Sequence, residues 1–230
     1  MTISHVEVLH DASGAVSAAL KGNIVVIVDV INMSTTLEAA WEAGALGVFG
    51  ASPDKTLAPV FVNPMLVGYY AGCYAKSNKT EIILITEPRV GTDEERIQHA
   101  SLAIKGIKKA GVGAVTVLPN LGAETVKLCD FANKVVIAVT DSGGVAYDAA
   151  FNAGGIVLTA TVARTLGKKG LEPVHMGVKR ALTIARLKNT GISFVAASSN
   201  SLEDILAASF MFEYIVYYLK GVLCPVGDTF

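Results

Sequence analysis

Charge is scarce in this chain and nearly cancels: Asp, Glu, Lys and Arg make up 17% of 230 residues, with 19 basic against 20 acidic. Spread along the sequence, that balance leaves no basic footprint for nucleic acid and no polybasic segment for a membrane surface. Three cysteines, Cys73, Cys129 and Cys224, lie far apart, lack metal-ligand spacing and cannot all pair within one chain. Reduced thiols and a cytoplasmic location are the expectation. The isolated histidines, His5, His10, His99 and His175, show no H-x-E or H-E-x-x-H spacing, which argues against zinc. A P-loop is also missing, and Gly-Gly at 143–144 or 154–155 is too weak for a dinucleotide fingerprint. The opening Met-Thr-Ile-Ser-His-Val-Glu-Val has no basic segment leading into an apolar one, so no secretory signal is expected. The longest apolar stretch, Ile205 to Leu219, carries Glu213 and falls short of the ~20 residues that span a bilayer. It reads as a buried or subunit-packing helix, apolar nearly all round, whose full cover calls for a second copy and hence a homo-oligomer.

Apolar material, by contrast, is plentiful at 52%, enough for a large core and a single domain over residues 1–230. Helical stretches repeatedly end in Ala-Gly and restart as β-branched strands: Ala43-Gly44 before Leu46 to Phe49, Ala110-Gly111 before Ala114 to Val117, and Ala153-Gly154 before Ile156 to Thr159. Glycine just past a helix end takes the left-handed cap conformation cheaply. The intervals are uneven, so no solenoid is read. Further strands are expected at Val6 to Leu9, Glu81 to Thr86, Lys134 to Thr140 and Ile192 to Ala196. Helices are expected near 34–44, 64–77, 93–110, 122–131, 144–153, 174–190 and 201–219. This alternation predicts a layered αβα fold on a mostly parallel or mixed central sheet. The loop from Ser52 to Pro59 is the least predictable piece.

The most informative junction is Ile24 to Val30, an apolar run holding one acid, which passes into Asn32-Met-Ser-Thr-Thr36 and an amphipathic helix. A continuous Val/Ile run suits a strand covered on both faces. Ligand crevices in open α/β sheets form beyond the carboxyl ends of strands, where helix starts offer free N–H groups to anions. Asp29 then stands at a ligand edge, with Ser34, Thr35 and Thr36 as hydroxyl donors. A purely structural alternative exists, because Thr35 and Glu38 have capping-box spacing.

Three more strand ends are polar: Glu87 with Arg89, Thr140 with Asp141, Ser142 and Gly143, and Ser198 to Asn200 with Glu203 and Asp204. A shared edge holding acids, an arginine and hydroxyls suits Mg²⁺ together with a phosphorylated small molecule. Structural alternatives are a tight turn at 140–144, dipole complementation by Glu203 and Asp204, and a surface ion pair between Glu87 and Arg89. Thr92 and Glu95 also have capping-box spacing and are read as a helix start.

Val28-Asp-Val-Ile-Asn-Met-Ser-Thr-Thr36 resembles the signature of the 2-phosphosulfolactate phosphatase family, in which a strand ends Asp-Val-Leu-Arg-Ala-Ser/Thr-Thr-Thr. Phe194-Val-Ala-Ala-Ser-Ser-Asn-Ser-Leu-Glu-Asp-Ile-Leu-Ala-Ala208 is similar to that family's C-terminal segment, a strand followed by Ala-Gly-Thr and Ser-Leu-Glu-Asp-Leu-Leu-Ala-Ala-Gly. Weaker similarities lie at Glu87 to Gly91, Thr140 to Gly144 and Gly155 to Ala163. The resemblance implies a Mg²⁺-dependent phosphatase acting on a small phosphorylated sulfonate in coenzyme M biosynthesis. In that reading Asp29, Ser34, Thr35 and Glu203 are catalytic and Asp29, Glu87 and Asp204 hold the metal. Asn32, Thr36, Arg89, Thr140, Ser142 and Gly143 bind the substrate, a small anion. The chain departs from the pattern at Asn32, where the family has arginine, and at Asp141 to Gly143, where the family has Asn-Gly-Thr. A divergent relative that binds a small anion without catalysis is the alternative, and a nucleotide or sugar-phosphate enzyme a third.

Overall fold

The most uniformly apolar pentapeptides of the chain form the strands that are covered on both sides. The computed structural model describes residues 3–222, so Cys224 lies outside the described residues, while Cys73 and Cys129 are free thiols. In chain order the elements are β1 (Val6–His10), α1 (Asp11–Leu20), β2 (Ile24–Val28), α2 (Met33–Glu42), β3 (Gly47–Ala51), α3 (Pro64–Ser77), β4 (Ile82–Thr86) and α4 (Asp93–His99). They continue with α5 (Ser101–Lys109), β5 (Val115–Pro119), a 3₁₀ turn (Gly122–Lys127), β6 (Val135–Val139), α6 (Ser142–Asn152), β7 (Ile156–Thr159), α7 (Glu172–Lys188), β8 (Ile192–Ala196) and α8 (Leu202–Leu219).

The α/β layering is as expected, and every strand pairing among the described residues is parallel. The strands divide, however, between two four-stranded sheets, β1-β8-β2-β7 and β3-β6-β4-β5, rather than joining one central sheet. The inner strands β2, β8, β6 and β4 are buried at every position, whereas β1, β5 and β7 on the edges are partly exposed. Along β2 the side chains alternate: Ile24, Val26 and Val28 pack against α7 and α8, and Val25 and Ile27 point to the opposite core. That second core also takes Ile83, Ile85, Val136 and Ala138 from the other sheet and small residues of α1, α2 and α6, so these helices form a shared middle layer. The outer face of the second sheet is covered by α3 and α5. Each fully buried Val, Ile or Leu side chain contributes about 1.5–3 kcal/mol.

The two sheets are related by an internal two-fold repeat. In one sheet Val6, Ile24 and Ile156 align on Ile192 or its neighbour; in the other Val115, Val135 and Gly47 align around Ile82. Thus β1 corresponds to β5, β2 to β6, β3 to β7 and β4 to β8, with α2 matching α6 and α3 matching α7. Each half gives two strands to each sheet, and every strand pair joins one half to the other.

Local expectations hold at most boundaries. Gly44, Gly111 and Gly154 all have φ near +85°, with values of 89°, 88° and 84°, as a left-handed helix end requires. Helix α1 was not foreseen. The helix expected over 93–110 breaks at Ala100, and the one expected over 122–131 is a short 3₁₀ turn. The capping box at Thr92 and Glu95 is present. The one at Thr35 and Glu38 is not: Asn32 precedes α2 without a side-chain cap, and Glu38 turns to Arg180 and Thr159. Outward, α8 leaves Leu206, Phe210 and Tyr217 exposed, and no helix of the described residues is long and apolar enough to cross a membrane.

The loop after β3 is fixed by one buried acid. Asp148 in α6 accepts hydrogen bonds from Ser52 N at 3.0 Å, Ser52 Oγ at 2.6 Å, Asn63 N at 2.7 Å and Asn152 Nδ2 at 2.6 Å. Asp148→Ala orphans these donors and is expected to destabilise the protein by about 2–3 kcal/mol. A lower urea midpoint at unchanged slope checks this; a midpoint equal to that of the parent refutes it.

Candidate functional site

Parallel pairing puts the carboxyl ends of β2 and β8 side by side, and the start of α6, which follows β6 of the other sheet, reaches them. Between them lies a crevice of about 260 Å³ lined by Asp29, Asn32, Ser142, Ser198, Asn200 and Ser201, with Glu203 and Asp204 at its side. The acids at 29 and at 203–204 are therefore on one crevice.

Asp29 is buried, and both its oxygens are held: Oδ1 accepts from Asn32 N at 3.1 Å and Oδ2 from Gly143 N at 2.9 Å. Burial raises its pKa, the N–H groups of Met33, Asn32 and Gly143 draw it back, and the charge of Glu87 raises it further. Asp204 stands in the first turn of α8, which Ser201 caps, and its Oδ1 accepts from Val30 N at 2.8 Å. That bond ties the last helix to the loop that carries Asp29. Desolvation, opposed by the Val30 N–H and reinforced by the neighbouring charges of Asp29 and Glu203, pushes Asp204 up to about 6. Glu203 beside it is exposed.

Arg89 belongs to the same neighbourhood. The buried Arg96 fixes its loop by donating to Pro88 O at 3.0 Å and to Arg89 O at 3.1 Å. Arg89 Nη2 then donates to Asn32 Oδ1 at 3.1 Å. No ion pair between Glu87 and Arg89 forms among the described residues. A guanidinium therefore stands at Asn32, delivered from the end of β4.

The hydroxyls of the α2 start go elsewhere. Ser34 Oγ donates to Ile27 O at 2.9 Å and accepts from Asp29 N at 3.0 Å. Thr35 Oγ1 sits between Val30 O and Thr161 Oγ1, and Thr36 Oγ1 between Asn32 O and Asn120 Oδ1. These three side chains are buried and do not line the crevice. Their physical role is to shape the turn, because a turn sealed from water must satisfy its backbone carbonyls internally. Thr140 behaves alike, accepting from Gly144 N at 2.9 Å. Ser142 lines the crevice, Gly143 contributes its N–H to Asp29, and Glu87 is half-buried at the end of β4.

Among the crevice-lining residues, Ser198, Asn200 and Ser201 stood out in the sequence only as a polar strand end. The missing signal was strand order, since nothing in the sequence puts β8 next to β2. Asp11 is a further addition nearby: it takes φ +60° after β1 and accepts from Ser199 N at 2.7 Å, holding the same loop from the far side.

For a metal, no group of three or more Asp, Glu, His or Cys side chains among the described residues forms a ready-made cluster. Mg²⁺ needs less than that, one or two carboxylates with water and phosphate oxygens completing an octahedron. Asp29 and Asp204 fit that donor set, and their mutual repulsion is the strain a cation between them would relieve.

Comparison of the chain with protein families, curated proteins and solved structures finds no match in any of the three.

Proposed function

We propose that the protein is a Mg²⁺-dependent phosphatase that hydrolyses a small phosphorylated sulfonate or hydroxy acid such as 2-phosphosulfolactate. The observation that carries this reading is the 2.8 Å bond from Val30 N to Asp204 Oδ1, which brings two acid-bearing loops from opposite ends of the chain to one crevice. Asp29 and Asp204 would hold the cation, with Glu87 adding negative charge nearby. Bound there, Mg²⁺ would neutralise phosphate oxygens and favour attack at phosphorus.

The chain's own groups supply the rest. Arg89 offers a guanidinium to the sulfonate or carboxylate, in the place the phosphatase family gives to its arginine and this chain to Asn32. The Ser142 hydroxyl donates to the transferring phosphoryl group. Glu203, exposed and unencumbered by backbone donors, takes a proton from the attacking water. The water oxygen bonds to phosphorus as the ester P–O bond breaks, the proton taken by Glu203 is returned to the leaving oxygen, and the alcohol and inorganic phosphate leave.

Phosphate release from 2-phosphosulfolactate, phosphoglycolate and phospholactate, with and without Mg²⁺, tests this. Turnover is expected only with the metal, and Glu203→Gln is expected to lower kcat by about 10²-fold at unchanged melting temperature, the usual scale for a lost general base. A second reading, a binding protein without catalysis, is favoured by one observation: the Ser34, Thr35 and Thr36 hydroxyls are engaged within the protein and not free for phosphate. Thermal stabilisation by these compounds without phosphate release would select it over the phosphatase.

A further inference from the structure

The crevice of Asp29 does not end at Ser142 and Ser198, because both residues also line a second lobe of about 310 Å³. The two spaces are contiguous. Asn32, and with it the guanidinium of Arg89, belongs to the crevice and not to the lobe, whereas Asp11 and Asp141 belong to the lobe and not to the crevice. Each space alone sits at the lower limit of the usual size of ligand sites, about 300–1,000 Å³, and joined they fall inside it. One wall of the lobe is fixed by Asp11, which accepts from Ser199 N at 2.7 Å through a single carboxylate oxygen and so holds the loop that carries Ser198.

The charged side chains of the lobe are all of one sign. Asp11 and Asp141 are the ionisable groups on its walls, no lysine, arginine or histidine joins them, and neither acid has an ion-pair partner among the described residues. Asp141 precedes α6 without a side-chain bond to it. The starts of α1 and α6 each bring about half a positive charge to this edge, which two full carboxylates outweigh. The lobe is therefore net negative. Its remaining walls are the hydroxyls of Ser13, Ser142 and Ser198, able to accept as well as donate, and apolar surface from Ala12 and Val145. A group that donates hydrogen bonds, carries positive charge and hangs on a short hydrocarbon arm meets every one of these walls.

We propose that the lobe seats an ammonium group carried by the alcohol part of the phosphate ester, between Asp11 and Asp141, so that the substrate is the phosphate of an amino alcohol. This rests on the phosphatase reading for where the phosphorus lies, at the crevice of Asp29. Binding and turnover are therefore measured apart. Isothermal titration of the full chain in Mg²⁺ uses straight-chain ω-aminoalkyl phosphonates of graded length, each paired with the ω-hydroxyalkyl phosphonate of equal length, since their C–P bond is not hydrolysed. At one length or more the amine is expected to bind about tenfold tighter or better, the scale of one charge-assisted contact. Asp141→Asn is expected to bring the two series close to parity. Asp11→Asn is expected to shrink the preference too, while its amide oxygen keeps the bond from Ser199 N and asparagine tolerates the φ of +60° at that position. Equal binding of the two series at every length, a preference that both variants leave intact, or displacement of the amine by raised Mg²⁺ would each overturn the proposal. Phosphate release from the corresponding phosphate esters separates the two readings: turnover without preference for the amine removes the ammonium seat alone, and preference without turnover removes the phosphatase alone.

Discussion

Gly143→Ala is expected to dismantle the crevice of Asp29 and to cost the protein about 3 kcal/mol or more, at the upper end of overpacking penalties. A Cβ on residue 143 would lie 2.2 Å from Asp29 Oδ2 and 2.8 Å from both Asp29 Cβ and Met33 Cβ. Asp29 cannot swing aside cheaply, because its other oxygen is held by Asn32 N and its own N–H by Ser34. The methyl therefore either breaks the bond from Gly143 N or displaces the start of α2, and both open the site. Denaturant titration reads the stability loss, and loss of anion-dependent stabilisation reads the damage to the crevice. Gly113→Ala is the control, since nothing lies within 4 Å of its built Cβ and it is expected to be neutral. Equal stability of the two variants would sink the argument.

Arg180→Ala is expected to be comparably severe for an electrostatic reason. Glu38 is 8% exposed, and its Oε1 accepts from Arg180 Nη2 at 2.5 Å and from Thr159 Oγ1 at 2.7 Å, while the same Nη2 reaches Thr159 O at 2.7 Å. Removing the guanidinium leaves a buried carboxylate with one neutral donor, a loss of about 3–5 kcal/mol for a broken buried pair. The double variant Glu38→Met with Arg180→Met is expected to recover most of it, because the desolvation penalty disappears with the charges. Burial already raises the Glu38 pKa against the pull of Arg180. Without Arg180 that pKa climbs further, so the carboxyl adds stability below its unfolded pKa and loses it as pH rises through the folded value. The defect should therefore shrink in acid and be full at neutral pH. A loss independent of pH, or one the double variant fails to repair, would contradict this account.

Much of the architecture could be read in the residues, for reasons tied to individual elements. The runs Ile24 to Val28, Ile82 to Thr86, Val135 to Val139 and Ile192 to Ala196 are apolar at nearly every position because both their faces are covered, and they prove to be the inner strands. The Ala-Gly helix ends were legible because a left-handed φ is a local demand that few residues meet. Helix α1 escaped because Asp11-Ala-Ser-Gly-Ala lacks a strong apolar period and begins at a positive φ without a side-chain cap.

The site was legible only in part. Asp29 and Asp204 could be named as strand-end and helix-start acids, yet the sequence cannot say that β8 lies beside β2. The hydroxyls of Ser34, Thr35 and Thr36 read as ligand groups because the alternative acceptors, Ile27 O, Thr161 and Asn120, come from the far side of a fold that periodicity does not reveal. The division into two sheets was hidden for the same reason. Its trace was visible in Ala39-Ala-Trp-Glu-Ala-Gly44 and Ala149-Ala-Phe-Asn-Ala-Gly154, but the Ala-Gly sites, taken together, are unevenly spaced and mask a two-fold relation.

That pairing of halves governs how the chain must be made. Since β1 to β4 never hydrogen-bond one another, a nascent polypeptide emerging from the ribosome has no ladder to close until Val115 to Pro119 arrives to zip onto Ile82 to Thr86. Inner strands β2 and β4 must wait, greasy and unmatched, for partners synthesised much later, and such a high-contact-order topology folds slowly and late.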